Sequence, residues 1–202
     1  LTNRRQRQMC IRDSLKTEVF GTKMDMPIFL SPTAMQSLYH PDGDKASARA
    51  AEKFGTIYSM STMASFSIEE IANLSSGPKI FQLYIHKDQS ITDDLIDRCK
   101  RANFNGMCIT VDTIVAGNRE RDHRTGFTTP PKFTLDSLMS FAMRPQWVFN
   151  YFTNKKFELA NLKDKVEKGT NIAQSVMGYI NEQYDPAMNW KDAEYCLSLI
   201  HI

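Results

Sequence analysis

The chain has 202 residues, of which 42% are hydrophobic and 24% are charged, and its formal net charge is +2. This composition is that of an ordinary soluble globular protein with enough residues for one core. So small a charge gives no reason to expect nucleic acid as a partner. No apolar run approaches the roughly 18 residues that a membrane span needs, and no apolar signal-peptide segment follows the N-terminal arginines.

The four cysteines show no metal or disulfide signature. None of Cys10, Cys99, Cys108 and Cys196 belongs to a C-x-x-C pair, and no histidine stands at metal-ligand spacing from one of them. We therefore expect reduced thiols, no structural metal and a cytoplasmic protein.

The two ends of the chain differ from the sequence between them. Residues 1–14 have neither helical nor strand periodicity, and residues 196–202 break off a helical pattern abruptly. Both resemble translated sequencing-adapter read-through, so we expect one partial domain over residues 15–195 between two non-native ends. A flexible basic tail and a genuine apolar terminus are the alternative.

Between these ends, apolar runs alternate with segments of helical character. Predicted helices begin near Asp44, at the capping box of Ser67 and Glu70, and after Ser90; they end at Phe54, near Gly77 and at Phe104. Gly55 suits the position that follows a helix. The predicted strands are Met26–Leu30, Thr56–Thr62, Lys79–Ile85 and Gly106–Asp112.

This alternation predicts an α/β fold with a parallel sheet, because strands that start about 25 to 30 residues apart are typical of successive βα units. A doubly wound sheet and a barrel both fit the pattern. No G-x-G-x-x-G follows the first strand, which makes a dinucleotide-binding domain less favoured.

Polar residues stand at the end of each predicted strand. In a barrel, the carboxyl ends of the strands converge on the face that carries the chemistry. Polar strand ends are common in any protein, but four in succession favour a functional face. The residues are Ser31 and Thr33, then Ser59, Ser61 and Thr62, then Gln82 and Tyr84, then Thr110 and Asp112.

The alternation stops after Asp112. Residues 113–127 are polar and rich in arginine, residues 133–152 are aromatic and partly amphipathic, and residues 154–184 are mostly polar. A further helix is predicted to start within residues 189–195. So long a segment without this alternation favours a functional loop or lid after the fourth strand.

Four sequence blocks in order resemble the FMN-dependent 2-hydroxy-acid dehydrogenases and oxidases, the L-lactate dehydrogenase and glycolate oxidase type. They read PIFLSPTAMQSLYHPDGD, SMSTMASFSIEEI, FQLYIHKD and ITVDTIVAGNRERDHRTGF. The resemblance implies the N-terminal half of a (β/α)₈ TIM barrel, with parallel strands 1 to 4 and a long loop after strand 4. The segment MRPQWVFNYFTNKKFELANL resembles the lactate dehydrogenase branch more than the glycolate oxidase branch.

The resemblance implies an enzyme that holds FMN and oxidises an L-2-hydroxy acid, most readily L-lactate, to the 2-oxo acid by hydride transfer to flavin N5. The implied partners are the small hydroxy acid and an electron acceptor, which is oxygen, a quinone or a cytochrome. It also implies a homo-oligomer when full length, and a cytoplasmic protein that can lie peripheral to the inner membrane.

The resemblance also assigns roles to single residues. Tyr84 binds the substrate and the developing alkoxide, and Arg119 binds the substrate carboxylate through its guanidinium fork. Asp112 orients the catalytic histidine. The implied FMN contacts are Pro32, Thr33, Ala34, Ser61, Gln82 and Thr110.

The catalytic histidine itself is missing from the sequence. In the family it lies in a later H-x-x-R motif, and His40, His86, His123 and His201 do not match it. The chain also departs from the family at Met63, where oxidases often carry tryptophan, and at Thr113-Ile114, where Thr-Pro is more common. Two alternatives stay open: an inactive half-barrel that binds a phosphate-containing ligand or a partner, and another FMN-binding barrel enzyme.

Overall fold

A computed structural model describes residues 14–112, 120–125, 134–153, 158–162 and 183–199. A 3₁₀ helix, Gln36–Leu38, precedes the first α-helix. The strands within these ranges are β1 (Thr17–Val19), β2 (Thr22–Met24), β3 (Tyr58–Ser61), β4 (Lys79–Leu83) and β5 (Gly106–Ile109). The α-helices are α1 (Gly43–Lys53), α2 (Ile68–Leu74), α3 (Gln89–Arg101), α4 (Glu120–Thr125), α5 (Leu135–Ala142), α6 (Pro145–Thr153) and α7 (Trp190–Leu199).

Strands β3, β4 and β5 form a parallel sheet in sequential order. The first predicted strand, Met26–Leu30, contributes only a parallel bridge between Leu30 and Tyr58. At this bridge the Leu30 amide donates to the Ile57 carbonyl at 3.0 Å, and the Ser59 amide donates to the Leu30 carbonyl at 3.1 Å. The segment at Leu30 and strands β3, β4 and β5 are therefore neighbours in chain order, as the first half of a barrel requires.

The hairpin of β1 and β2 was not predicted from the sequence. Its strands pair antiparallel, with Thr17 opposite Met24 and Val19 opposite Thr22. The two turn residues, Phe20 and Gly21, have φ angles of 51° and 70°, which two-residue hairpin turns require. Phenylalanine is unusual at such a position. The sequence could not indicate this hairpin, because Phe20-Gly21 replaces the Asn-Gly or Asp-Gly pair that is typical of such turns.

The predicted helices are present with shifted ends. The capping box is formed, since the Glu70 amide donates to Ser67 Oγ and the Ser67 amide donates to Glu70 Oε2. Helix α2 ends at Leu74 rather than near Gly77, because Ser75 is already extended. Helix α3 begins at Gln89 rather than after Ser90, because the Asp88 side chain accepts the Ser90 amide and caps the helix.

The core lies between the sheet and helices α1, α2 and α3. The predicted apolar face of α3 is buried in the same hydrophobic cluster as Phe81 and Leu83 of β4. The buried residues of that face are Ile91, Leu95, Ile96 and Cys99.

A segment far along the chain from the sheet, residues 159–162, also packs in this core. Leu159 and Leu162 are fully buried, and the Ala160 amide donates to the Ala64 carbonyl at 3.3 Å. Arg98 of α3 holds the same segment, since its Nη1 donates to the Asn161 carbonyl at 3.1 Å. Residues 159–162 therefore belong to the same packed unit as the sheet.

Helix α7 continues through Cys196, which is buried, to Leu199. The helical pattern that the sequence shows before residue 196 therefore runs four residues further, to Leu199. The domain boundaries at residues 15 and 195 stay a prediction.

Candidate functional site at the carboxyl ends of the strands

Ser61, Gln82 and Thr110 form a hydrogen-bonded row across the carboxyl ends of β3, β4 and β5. Ser61 Oγ donates to Gln82 Oε1 at 3.1 Å, and Gln82 Nε2 donates to Thr110 Oγ1. Ser61 lies opposite Gln82 in the sheet register, which explains the first contact. Ser61 and Gln82 are buried, whereas Thr110 is partly exposed. The row therefore presents hydroxyl and amide groups at the end of the sheet where barrel enzymes place their sites.

The backbone around Tyr84 is held by the neighbouring strand end. Thr62 Oγ1 donates to the Gln82 carbonyl at 2.6 Å and accepts the Tyr84 amide at 3.2 Å. Thr62 is fully buried, so water does not compete for these bonds. Gln82 and Tyr84 are two positions apart, which places both side chains on the same face of the extended chain.

The loop that contains Pro32, Thr33 and Ala34 lies beside the end of β3. The Met35 amide donates to the Met63 carbonyl at 3.0 Å, and Leu30 pairs with β3 just before the loop. Pro32 and Thr33 are exposed and Ala34 is partly exposed. Both ends of the loop are thus fixed, and its backbone is open to a ligand.

Tyr184 stacks on Tyr84, a contact that no pattern in the sequence indicates. The ring centroids are 4.5 Å apart and the planes differ by 16°. His86 lies edge-on to Tyr184, with centroids 5.4 Å apart. Tyr184 lies at the end of a long polar stretch, about a hundred residues from Tyr84, so no local periodicity could have indicated the pairing.

His86 is buried beside the site, and its backbone amide donates to Thr92 Oγ1 at 3.1 Å. Burial lowers the pKa of His86 to about 4, because the charged imidazolium loses its hydration. His86 is therefore neutral near pH 7, and the family resemblance gives it no role as the catalytic base.

The remaining predicted site residues lie beyond β5. Asp112 is exposed at the end of the described stretch that follows the strand. Arg119 and the Thr113-Ile114 departure lie outside the described residues. The structure therefore brings together the predicted FMN residues on the strands and Tyr84. The pairing of Tyr84 with Arg119 stays a prediction.

Comparison with known proteins identifies the family. The sequence model described as FMN-dependent dehydrogenase matches residues 2–201. The chain belongs to this family. The matched range includes both terminal segments that we interpreted as non-native.

The curated relatives include glycolate oxidases of plants. Glycolate oxidase 1 of Zea mays is 36% identical over 181 residues, which are 90% of this chain and 43% of that protein. Glycolate oxidase of Spinacia oleracea is also 36% identical, with the same coverage. The chain thus spans less than half the length of these relatives.

Two solved structures share the fold of this chain. (S)-mandelate dehydrogenase, described as a monotopic membrane protein, superimposes with a TM-score of 0.83 at 29% identity, over 93% of this chain and 49% of that chain. A lactate oxidase of Pediococcus acidilactici superimposes with a TM-score of 0.71 at 26% identity, over 95% of this chain and 43% of that chain.

FMN is the cofactor of the family, and the described residues fit it. The polar pyrimidine edge of a flavin carries both donors and acceptors, which the hydroxyl and amide groups of Ser61, Gln82 and Thr110 complement. The open backbone of residues 32–34 lies beside them.

Two kinds of site are absent from the part of the chain that the structure describes. There, no group of three or more histidine, cysteine, aspartate or glutamate side chains lies close enough to hold a metal ion. Among the same residues, no helix is long and apolar enough to cross a bilayer.

Proposed function

We propose that the complete gene product carrying this chain oxidises an L-2-hydroxy acid to the 2-oxo acid, with L-lactate as the first candidate substrate. The observation that carries the proposal is the position of Tyr84. It comes directly after β4, two positions beyond Gln82 of the Ser61–Gln82–Thr110 row, in a chain of the FMN-dependent dehydrogenase family.

The strand ends bind the cofactor in this proposal. Ser61, Gln82 and Thr110 hydrogen-bond the flavin, and the backbone of residues 32–34 lies against it. When bound, FMN accepts the two electrons that leave the substrate α-carbon as hydride. The buried hydrogen bond from Ser61 Oγ to Gln82 Oε1 fixes the amide before the cofactor arrives, so little ordering is needed on binding.

Tyr84 and Arg119 bind the substrate in this proposal. The Tyr84 phenol donates to the substrate oxygen, which gains negative charge as its proton leaves. The Arg119 guanidinium holds the carboxylate, and Asp112 orients a histidine base supplied by residues outside this chain. The resemblance of residues 143–162 to the lactate branch, and Met63 in place of tryptophan, favour L-lactate over glycolate.

A substrate panel tests this proposal. We expect the complete gene product to be isolated with FMN and to reduce an artificial dye with L-lactate faster than with glycolate, (S)-mandelate or D-lactate. The Tyr84→Phe variant is expected to lower kcat/KM by about 100-fold, in the range for removal of one transition-state donor. Tyr39→Phe, which changes a tyrosine that is 73% exposed, serves as the matched control. Equal turnover of L- and D-acids would overturn the proposal.

We also propose that helices α5 and α6 rest on a membrane surface. They form an apolar hairpin whose outer residues are exposed: Leu135, Leu138, Met139, Met143, Phe149 and Phe152. The hairpin is anchored to the body of the protein because Trp147 Nε1 donates to the Leu38 carbonyl at 3.1 Å. Arg144 lies between the helices, and Lys155 and Lys156 follow in the sequence. Apolar helical surface next to basic residues suits the interface of an anionic bilayer, and one solved relative is a monotopic membrane protein.

Vesicle sedimentation tests this attachment. We expect the complete gene product to sediment with vesicles that contain phosphatidylglycerol, and the double variant Met139→Ser, Phe149→Ser to remain in the supernatant with unchanged dye reduction. Leu197→Ser, at a residue that is 70% exposed on α7, is the control. Equal sedimentation of both variants would show that the hairpin does not carry the attachment.

A further inference from the structure

Tyr184, whose ring stacks on that of Tyr84, has no role in the proposed function. Tyr184 is 5% exposed, and its ring lies nearly parallel to that of Tyr84 at a centroid distance of 4.5 Å. Stacking at this distance limits rotation of both rings, since either ring must leave the contact to turn. The ring plane of Tyr84, and with it the position of the phenol oxygen, is thereby restricted.

The backbone holds Tyr184 in this place. Residues 183–185 pair antiparallel with the chain that follows β4. The Lys87 amide donates to the Gln183 carbonyl at 2.8 Å, and the Asp185 amide donates to the Ile85 carbonyl at 3.2 Å. The segment therefore pairs with the chain just beyond the carboxyl end of β4, next to Tyr84.

Helix α7 fixes the far end of the same segment. The Lys191 amide donates to Asn189 Oδ1 at 2.9 Å, and the Asn189 amide donates to Asp192 Oδ2 at 2.7 Å, which is a reciprocal cap. Cys196 of the helix is buried in the core, and Tyr195 Oη donates to the Asp93 carboxylate at 3.1 Å. The position of Tyr184 is thus set by a helix that packs against α3.

We propose that Tyr184 is a positioning residue that holds the Tyr84 phenol in the orientation needed for substrate oxidation. Thr62 fixes the Tyr84 backbone, and Tyr184 fixes the ring. The inference rests on the proposed function, because it gives Tyr184 an effect only through the substrate contact of Tyr84. The stacked ring is the requirement, so phenylalanine at position 184 suffices and an aliphatic side chain does not.

A double-mutant cycle on the FMN-loaded complete gene product tests the inference. The measured quantity is the rate of FMN reduction by L-lactate without oxygen, for Tyr184→Leu and Tyr84→Phe alone and together. We expect Tyr184→Leu to lower the rate about tenfold when Tyr84 is present, and to change it little once the phenol is gone. Tyr184→Phe is expected to keep a rate close to that of the unmodified protein. Should leucine prevent folding, Tyr184→Met provides a flexible apolar replacement.

The cycle separates positioning from core packing. Loss of packing alone lowers Tm in both backgrounds and lowers the rate by the same factor in each, and that result would overturn the inference. If Tyr84→Phe by itself leaves the rate unchanged, the proposed role of Tyr84 fails first, and the role of Tyr184 fails with it. A tenfold effect confined to the background with Tyr84 supports both roles.

Discussion

The candidate site is formed by individual residues at the strand ends, and Gln82 links several of them by hydrogen bonds. Its side chain accepts from Ser61 and donates to Thr110, and its carbonyl accepts from Thr62. A single amide thus ties together three parallel strands at the point where the cofactor is expected to bind. This arrangement predicts that Gln82 acts on cofactor affinity more than on folding.

The variant Gln82→Leu tests this role. Leucine keeps the apolar volume but removes both side-chain bonds, so we expect the Kd for FMN to rise at least tenfold, which corresponds to about one lost hydrogen bond with its desolvation. Titration of the stripped protein with FMN, followed by quenching of flavin fluorescence, measures the Kd. The control is Gln89→Leu, at an exposed position of α3. Identical Kd values for the two variants would contradict the assignment.

His86 makes the stability of the protein depend on pH in a defined direction. Its pKa is lowered to about 4 in the folded protein by burial, whereas the unfolded chain keeps a value of about 6.5. Between these values the unfolded state binds more protons, so the free energy of unfolding falls as the pH drops from about 6.5 to 4. Well above pH 6.5, His86 is neutral in both states, so the free energy of unfolding does not change with pH through this residue.

The His86→Gln variant isolates this contribution. We expect its Tm to decline less steeply than that of the unmodified protein between pH 6.5 and pH 4, because no imidazole is left to protonate. Scanning calorimetry of both proteins across the window gives the comparison. Parallel Tm curves would show that His86 does not titrate in this way.

The end of α1 depends on Gly55, and the sequence indicated only one of the two roles of this residue. Gly55 was expected to end α1, and it has a φ of +60°. Its carbonyl also accepts the Asp25 amide at 2.8 Å, which ties the end of α1 to the chain after the hairpin. That second role was not visible in the sequence, because it joins residues thirty positions apart.

Gly55→Ala is expected to destabilise the protein by more than Gly21→Ala. Both glycines have positive φ, which costs an alanine about 1–2 kcal/mol. A Cβ at Gly55 also meets the Asp25 side chain, whereas a Cβ at Gly21 has no atom within 4 Å apart from its two chain neighbours. Urea unfolding of the complete gene product measures both changes. Equal destabilisation would show that the Asp25 contact relaxes freely.

For the whole molecule, alternating strands and helices sufficed to predict the parallel sheet, and the motif resemblance sufficed to place Gln82 near Ser61 and Thr110. The pairing of Tyr84 with Tyr184 could not be predicted, because it depends on where the chain returns after a long excursion. The hairpin at Phe20 was missed for a different reason, since its turn lacks the residues that usually favour positive φ.

The 202 residues alone are expected to be inactive and to aggregate. In the described sheet, β5 pairs on one side only, with β4, and an open strand edge invites pairing with other chains. The apolar surface of α5 and α6 adds to this tendency. Light scattering after size exclusion measures the outcome. A monodisperse, flavin-loaded preparation of these residues that oxidises L-lactate would contradict the expectation.

The central claim, that these strand ends form part of a site where FMN receives electrons from an L-2-hydroxy acid, is tested most directly by following flavin absorbance. The FMN-loaded complete gene product is mixed with L-lactate in the absence of oxygen, with D-lactate as the control. The account predicts that L-lactate bleaches the flavin within one turnover, that D-lactate leaves it oxidised, and that Tyr84→Phe slows the bleaching. A flavin that stays oxidised with every L-2-hydroxy acid tried would contradict it.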